Sequence, residues 1–209
     1  MGNSCNNASV HNADNRLMDG VEFKKRYKNK CFYKLEGQTD LNWKTGLNIA
    51  DVFDQSNFYL DGLEFVELDK IGKCLYQNHE LMTHIREVEI LDDSKIYAYK
   101  NKFLSDKFIL SDKILLKQFP YWNDETFCKL MVKQSIYALD YVSEQTDELC
   151  EIAAAQNGLA LRHVKNQTDK ICLLAVRQNG LVLRFVKNKT QEICEAAIEQ
   201  NENAKKYAE

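Results

Sequence analysis

Residues 146–158 read Thr-Asp-Glu-Leu-Cys-Glu-Ile-Ala-Ala-Ala-Gln-Asn-Gly, and similar stretches begin at Asp124, Thr168 and Thr190. The resulting period of 22 residues is the mark of a repeat protein. Two short helices per repeat cannot bury their apolar surface alone, so neighbouring repeats must supply the core. We therefore predict that residues 121–209 form four helical hairpin repeats stacked as an α-solenoid.

Each repeat carries signals for the start and the end of a helix. Asp or Thr stands four residues before each repeat cysteine, where its side-chain oxygen can accept from free backbone N–H groups. The apolar stretch ends at Gln-Asn-Gly, and the glycine is expected to close the helix in the left-handed conformation. A second, shorter helix is predicted over residues 159–164 and 181–186. The repeat cysteines are interpreted as buried free thiols that pack as small apolar groups: Cys128, Cys150, Cys172 and Cys194.

Two further repeat positions could hold the repeats together or bind a partner. A glutamine ends the first helix of every repeat, and its amide is interpreted as a tie to the backbone of the next repeat: Gln134, Gln156, Gln178 and Gln200. Basic residues recur on the second helix and are predicted to bind a partner, with a solvated charged face as the alternative: Arg162, Lys165, Arg184, Lys187 and Lys206.

The first half of the chain has the period-2 pattern of strands rather than the repeat. Strands are predicted near residues 31–35, 62–68 and 86–91, with 95–99 returning as a hairpin partner of 86–91. A helix is expected from Asp69 to Gln77. The predicted fold class is thus an α+β domain over residues 21–118, followed by an all-α solenoid of short helical hairpin repeats.

Residues 1–20 are rich in Asn, Ser and Asp and are predicted to be a disordered tail. Gly2 and Cys5 occupy positions used for N-myristoylation and palmitoylation, but Asn6 stands where that motif needs Ser or Thr. An ordinary polar tail is therefore favoured, and a lipid anchor is the alternative.

Composition narrows the classes of function. The net charge of the 209 residues is −3, without the basic excess that phosphate binding requires, so a nucleic-acid partner is not expected. No apolar run reaches the length of a membrane span, and no secretory signal is recognised, which predicts a cytosolic protein. None of the seven cysteines forms a C-x-x-C pair. His79 and His84 lack the helical spacing of zinc ligands. No metal or other cofactor is predicted.

The Ile-Cys start, the Gln-Asn-Gly turn and the Leu-x-Leu-Arg-x-Val segment resemble the short helical repeats of uncharacterised giant-virus (mimivirus-type) proteins, over about residues 124–208. Segments 46–49, 62–65, 85–88 and 101–107 are similar, in that order, to the module that such proteins place ahead of their repeats. The resemblance implies a viral origin and a location in the host cytoplasm or the virion. It implies no known activity.

The function predicted from the sequence is a non-catalytic module that binds a host or viral protein through the repeat surface. One alternative is an enzyme with a transferase- or hydrolase-type site in the α+β domain, whose polar side chains would then converge in one cleft. The other alternative is an acylated adaptor tethered to a membrane through Gly2 and Cys5.

Overall fold

The computed structural model divides the chain into two compact units. The first, here called the sheet unit, comprises Met1–Ile71 and Glu80–Phe119. The second, the repeat unit, comprises Gly72–His79 and Pro120–Glu209. Of the disordered tail predicted over residues 1–20, residues 1–16, including Gly2 and Cys5, fall outside the described part of the chain, as does His79. Residues 17–20 are instead ordered, since Leu17–Asp19 form a strand and Gly20 begins a helix. The structure describes residues 17–37, 43–50, 63–78, 80–99 and 102–208.

Nine strands lie in the described residues of the sheet unit, and all of their pairings are antiparallel. The order across the sheet is β1-β6-β7-β4-β2-β5-β8-β3, and β9 also pairs with β5. The strands are β1 Leu17–Asp19, β2 Phe32–Gly37, β3 Gly46–Ile49, β4 Leu63–Glu67, β5 Met82–Glu89, β6 Lys95–Tyr99, β7 Lys102–Ser105, β8 Lys107–Leu110 and β9 Ile114–Leu115.

The sheet bends back on itself at Asp106, the residue that separates β7 from β8. Strand β7 pairs with β4, β8 pairs with β5, and β2 lies between β4 and β5. Backbone hydrogen bonds therefore link β7 to β8 through β4, β2 and β5, while the chain itself joins β7 directly to β8 through Asp106. Helix α1 (Gly20–Arg26) begins at Asp19, whose carboxylate accepts from Glu22 N at 2.8 Å. It adds Phe23 to an aromatic core that includes Phe32, Phe65, Phe103 and Phe108.

The predicted hairpin between residues 86–91 and 95–99 is wrong. Strand β6 pairs with β1 and β7 instead. Both edges of β5 are already occupied, one by β2 and the other by β8 and β9. The turn at Asp92-Asp93 forms as expected, with Ser94 N donating to Leu91 O at 3.1 Å, but it sends the chain to a different part of the sheet.

The repeat unit contains four α-helices of ten residues, each followed by a 3-10 helix. Repeats 1 to 4 are defined by these pairs. The α-helices are α3 Glu125–Gln134, α4 Asp147–Gln156, α5 Asp169–Gln178 and α6 Gln191–Gln200. The 3-10 helices that follow them are Ile136–Asp140, Gly158–Arg162, Gly180–Phe185 and Glu202–Tyr207. Helix α2 (Ile71–Asn78) belongs largely to the repeat unit, although it lies within residues 21–118, the range predicted for the α+β domain. Shorter 3-10 helices occur at Leu68–Lys70, Leu116–Gln118 and Pro120–Asn123.

The predicted fold class is therefore wrong. A nine-stranded antiparallel sheet is the largest element in the described residues, and the repeats are not the helical hairpins of an all-α solenoid. The second segment of each repeat has only five or six residues. So short a segment gains little from α-helical i→i+4 bonds, and it closes with the i→i+3 bonds of a 3-10 helix, such as His163 N to Ala160 O at 2.8 Å.

The predicted helix starts are confirmed. Asp124 accepts from Phe127 N at 2.7 Å, and Thr146 accepts from Leu149 N at 3.3 Å. Thr168 and Thr190 make the same bond in repeats 3 and 4. Each side chain satisfies one of the N–H groups that the first turn of a helix leaves free.

The left-handed glycine predicted at the helix ends is wrong. Among the described residues, only Asn29 and Gly46 have positive φ. Asn157 and Asn179 are extended, with φ near −152° and −153°, and their side chains cap the following 3-10 helix. Space explains the glycine instead, since a Cβ on Gly158 would lie 2.6 Å from the carbonyl oxygen of Ala175 in the next repeat.

The thiols of Cys128, Cys150 and Cys172 are buried, whereas Cys194 is half-buried. Burial raises the pKa of Cys128 and of Cys150 to about 11. The reactive thiolate is consequently scarce at these two sites near neutral pH.

We expect Cys128, Cys150 and Cys172 to resist iodoacetamide at about pH 8 until the protein unfolds, with Cys194 reacting first of the four. Mass spectrometry of peptides from timed labelling reactions measures each site separately. A urea-unfolded sample, in which all four sites should react at similar rates, is the control. Rapid labelling of the three buried sites in native protein would contradict this packing.

Candidate partner-binding surface

The glutamine that ends each α-helix of a repeat forms a hydrogen bond with a backbone group of an element that precedes that repeat. Gln178 Oε1 accepts from Gly158 N at 2.8 Å, and Gln200 Oε1 accepts from Gly180 N. The sequence predicted a tie to the next repeat, so the direction is reversed. The bond requires the close approach that glycine permits, which explains why Gln and Gly recur together.

The joint between repeats 1 and 2 uses the same amide differently. Ile136 stands where the next two repeats have glycine, and here Gln156 Nε2 donates to Lys133 O at 2.6 Å. The glutamine thus keeps its bond to the preceding repeat by presenting its amide nitrogen to a carbonyl group. This joint does not need a glycine.

Helix α2 takes the place of a preceding repeat at the start of the unit. Gln134 Oε1 accepts from Lys73 N at 3.1 Å, and Gly72 N donates to the Met131 sulfur at 3.1 Å. A Cβ on Gly72 would lie 3.0 Å from Met131 O. Gly72 therefore meets repeat 1 as Gly158 meets repeat 3. The two sides of this joint lie about sixty residues apart in the chain.

We expect Gly72→Ala to lower the free energy of unfolding by about 1–2 kcal/mol, because the new methyl group presses on Gln134 and on Met131 O. Urea unfolding measures the loss. Hydrogen exchange should locate it at the C-terminal end of α3. Lys73→Ala is the control, since Lys73 contributes only its backbone N–H to this bond. Wild-type stability of Gly72→Ala would show that α2 does not form the joint.

A second glutamine series stands one residue before the Thr caps and was missed by the sequence reading. Gln145 Nε2 donates to Leu139 O and His163 O, while its Oε1 accepts from Lys165 N. Gln167 makes the equivalent three bonds one repeat later. The 22-residue spacing of the two glutamines was the available signal. Gln145 thereby links the 3-10 helix of repeat 1 to the end of that of repeat 2, and Gln167 links repeats 2 and 3 in the same way.

The basic residues of the 3-10 helices lie against aromatic rings. We name Arg162, Arg184 and Lys206 the basic row, and all three are exposed. The Arg162 guanidinium carbon lies 5.5 Å from the Phe185 ring centre, and that of Arg184 lies 4.7 Å from the same ring. Lys206 Nζ lies 5.0 Å from the Tyr207 ring centre. The rings hold the cations at the surface through cation–π contacts.

Arg184 also reaches the ring of the following repeat. Arg184 favours the ionised form of the Tyr207 hydroxyl, and together with Lys206 it lowers the pKa of Tyr207. Arg162 and Arg184 thus both contact an aromatic residue one repeat ahead. The row is built from contacts between repeats and not from isolated side chains.

Repeat 1 does not contribute to the basic row. Asp140 occupies its position and pairs with His163 Nδ1 at 2.9 Å. The His163 ring also packs edge-on against Tyr137, with ring centres 5.2 Å apart. The row therefore begins at repeat 2.

The other predicted binding residues, Lys165 and Lys187, lie just after the 3-10 helices. Both are exposed. Lys187 Nζ donates to Lys165 O at 2.7 Å. Because this bond anchors Lys187 to the backbone, we place it beside the basic row and not within it.

The charge of the basic row is not neutralised within the described part of the chain, where no carboxylate forms an ion pair with Arg162, Arg184 or Lys206. Two lysines on the α-helices, Lys129 and Lys170, are instead paired with glutamates. Lys129 pairs with Glu125 at 2.7 Å and with Glu148 at 2.8 Å, and Lys170 pairs with Glu151 at 2.7 Å. The row can therefore offer its charges to an external carboxylate.

The polar cluster that could support the enzyme alternative is centred on a buried ion pair in the sheet unit. Arg86 Nε lies 2.8 Å from Glu36 Oε1, and the two side chains are 5% and 2% exposed. The remaining guanidinium nitrogens donate to Thr45 Oγ1, Ser111 O and Trp43 O. Since the guanidinium is engaged by protein groups, this arrangement ties β2 and β5 to the residues around them. Among the residues that the structure describes, no group of three or more His, Cys, Asp or Glu side chains could hold a metal ion.

Comparison with protein-family models, with curated proteins and with solved structures gave no match. The resemblance to giant-virus repeat proteins therefore stays a prediction. Within the described ranges, no helix is both long and apolar enough to cross a membrane.

Proposed function

We propose that this protein is a non-catalytic interaction module that binds an acidic protein surface through the basic row. The observation that carries the proposal is the recurrence, repeat after repeat, of an exposed cation that contacts an aromatic ring and has no ion-pair partner among the described residues. A partner with several carboxylates would meet several such cations at once.

The ring contacts favour binding because they reduce the freedom of the cations before a partner arrives. An arginine held against a ring loses less side-chain entropy on binding than a freely rotating one. The planar guanidinium can also bind a carboxylate through two parallel hydrogen bonds. Complementary charges of this kind increase the association rate and the selectivity of binding.

The kind of partner and the setting follow from the sequence resemblance and belong to the same proposal. The partner would be a host or viral protein, and the site of action would be the host cytoplasm, or the virion if the protein is packaged. Because the basic row presents several cations, any such partner needs a surface with several neighbouring carboxylates.

Fluorescence anisotropy with labelled poly-glutamate tests the proposal. Arg162→Glu with Arg184→Glu should weaken binding by about tenfold or more, because each reversed charge replaces an attraction with a repulsion. Lys133→Glu with Arg177→Glu is the matched control, since it makes the same charge change at exposed helix positions outside the row. Equal losses in the two double variants would show that net charge alone is responsible, and would contradict a defined binding row.

A further inference from the structure

We infer that the acidic surface bound by the basic row belongs to a second copy of this chain, namely the exposed carboxylates of α6. We name Glu192, Glu195 and Glu199 the acidic stripe. The inference rests on the proposed function and specifies the partner.

The acidic stripe occupies one face of α6. Its residues are separated by three and four positions, the spacing at which helical side chains become neighbours. All three are exposed, and residues 191–200 contain no Lys or Arg. Like charges at this spacing repel each other, so the helix gains stability when a cation approaches the stripe.

The stripe is distinguished from the acidic residues of the other helices by its lack of lysine partners. Glu125, Glu148 and Glu151 each form an ion pair with a lysine of the repeat unit. In the part of the chain that is described, no ion pair involves a residue of the acidic stripe. At the positions of Glu195 and Glu199, repeat 1 carries Lys129 and Lys133. Helix α4 also carries three acidic residues and no Lys or Arg, but Glu148 and Glu151 are paired with lysines of neighbouring helices. Three exposed glutamates that all lack an ion pair among the described residues are thus particular to repeat 4.

The two surfaces match in number and in sign. The basic row has three cations and the acidic stripe has three carboxylates, and both sets lack intramolecular ion-pair partners among the described residues. Lys206 and the stripe belong to the same repeat, so a two-fold axis close to repeat 4 would let each copy offer its cations to the other. Such an isologous arrangement closes after two copies.

Apolar surface beside the stripe would be covered in the same contact. Cys194 and Ile198 each precede a stripe glutamate by one residue, and both are half-buried where their counterparts Cys172 and Val176 in repeat 3 are buried. Exposed ion pairs contribute little individually, so the dimer should be weak and should depend on salt.

Sedimentation equilibrium of the full chain tests the inference. Wild-type protein should dimerise at low ionic strength, and raising NaCl from about 0.05 M to about 0.5 M should weaken association about tenfold or more. Arg162→Glu/Arg184→Glu and Glu195→Lys/Glu199→Lys should each be monomeric with native circular dichroism. An equimolar mixture of the two should associate again, because the reversed charges are complementary. Lys133→Glu/Arg177→Glu should dimerise like wild type.

Other outcomes would overturn the inference. A wild-type protein that remains monomeric at low salt but binds poly-glutamate would show that the basic row functions and that its partner is not a second copy. A protein that does neither would contradict the proposed function as well. Dimerisation that survives Glu195→Lys/Glu199→Lys, or a mixture of the two variants that fails to associate, would place the contact elsewhere.

Discussion

Glu36→Gln should lower the free energy of unfolding by about 3–5 kcal/mol, because it leaves the Arg86 guanidinium buried without its counter-charge. The two groups lie 2.8 Å apart and are nearly inaccessible to water. A guanidinium group keeps its positive charge when it is buried, so the cost of the unpaired charge remains. Urea unfolding followed by circular dichroism measures the loss.

Two controls separate the buried ion pair from other effects of the substitution. Glu64→Gln breaks the pair with Lys102, which is equally short at 2.8 Å but 31% and 47% exposed, and should cost no more than about 1 kcal/mol. Glu36→Leu combined with Arg86→Met removes both charges and should cost less than Glu36→Gln alone. A double variant less stable than the single one would contradict the account of this pair.

Gly180→Ala should cost about 2–3 kcal/mol, because the added methyl group would overlap the carbonyl oxygen of Ala197 in the next repeat. The obstacle is backbone and cannot rotate away. The substitution also strains the bond from Gly180 N to Gln200 Oε1. Thermal unfolding and hydrogen exchange of the α6 amides measure the effect.

Glu202→Ala is the matched control for Gly180→Ala, since Glu202 occupies the same repeat position in repeat 4 and is exposed. It should change stability by no more than about 0.5 kcal/mol. An equally small change for Gly180→Ala would mean that the repeats do not approach each other as closely as this contact requires.

Helix positions in the repeat unit could be predicted because their signals are local. The side chains of Asp124, Thr146, Thr168 and Thr190 cap the turn that immediately follows them. The role of Gly158 could not be read in the same way. Glycine after a helix usually indicates a left-handed end, whereas here it permits contact with Ala175 O, a residue of another repeat.

Long-range pairings could not be predicted either, because they depend on residues that lie far away in the chain. The sequence Asp92-Asp93 indicates where the chain reverses. It does not indicate that both edges of β5 are occupied by other strands. Nothing near Gly72 indicates a contact with Gln134. The apolar pattern of residues 159–164 predicted a helix but could not distinguish a 3-10 segment from an α-helix.

The candidate site was predicted in part. The period located Arg162 and Arg184 as recurrent exposed cations, and the structure places both at the surface. The period did not reveal that Arg162 and Arg184 share the Phe185 ring or that Arg184 lowers the pKa of Tyr207, because each interaction joins two repeats or depends on rotamers. The acidic stripe does not follow from the repeat period, because the positions of Glu192, Glu195 and Glu199 are not acidic in repeats 1 and 3.

The most direct measurement of the central claim is stability and affinity determined on the same sample of Arg162→Glu/Arg184→Glu. The claim is that the glutamine joints hold the repeats together while the basic row is available to bind. It predicts a loss of stability of no more than about 2 kcal/mol, the value of two exposed cation–π contacts, and binding to poly-glutamate weakened by about tenfold or more. Unfolding of the variant, or unchanged affinity in a folded variant, would contradict it.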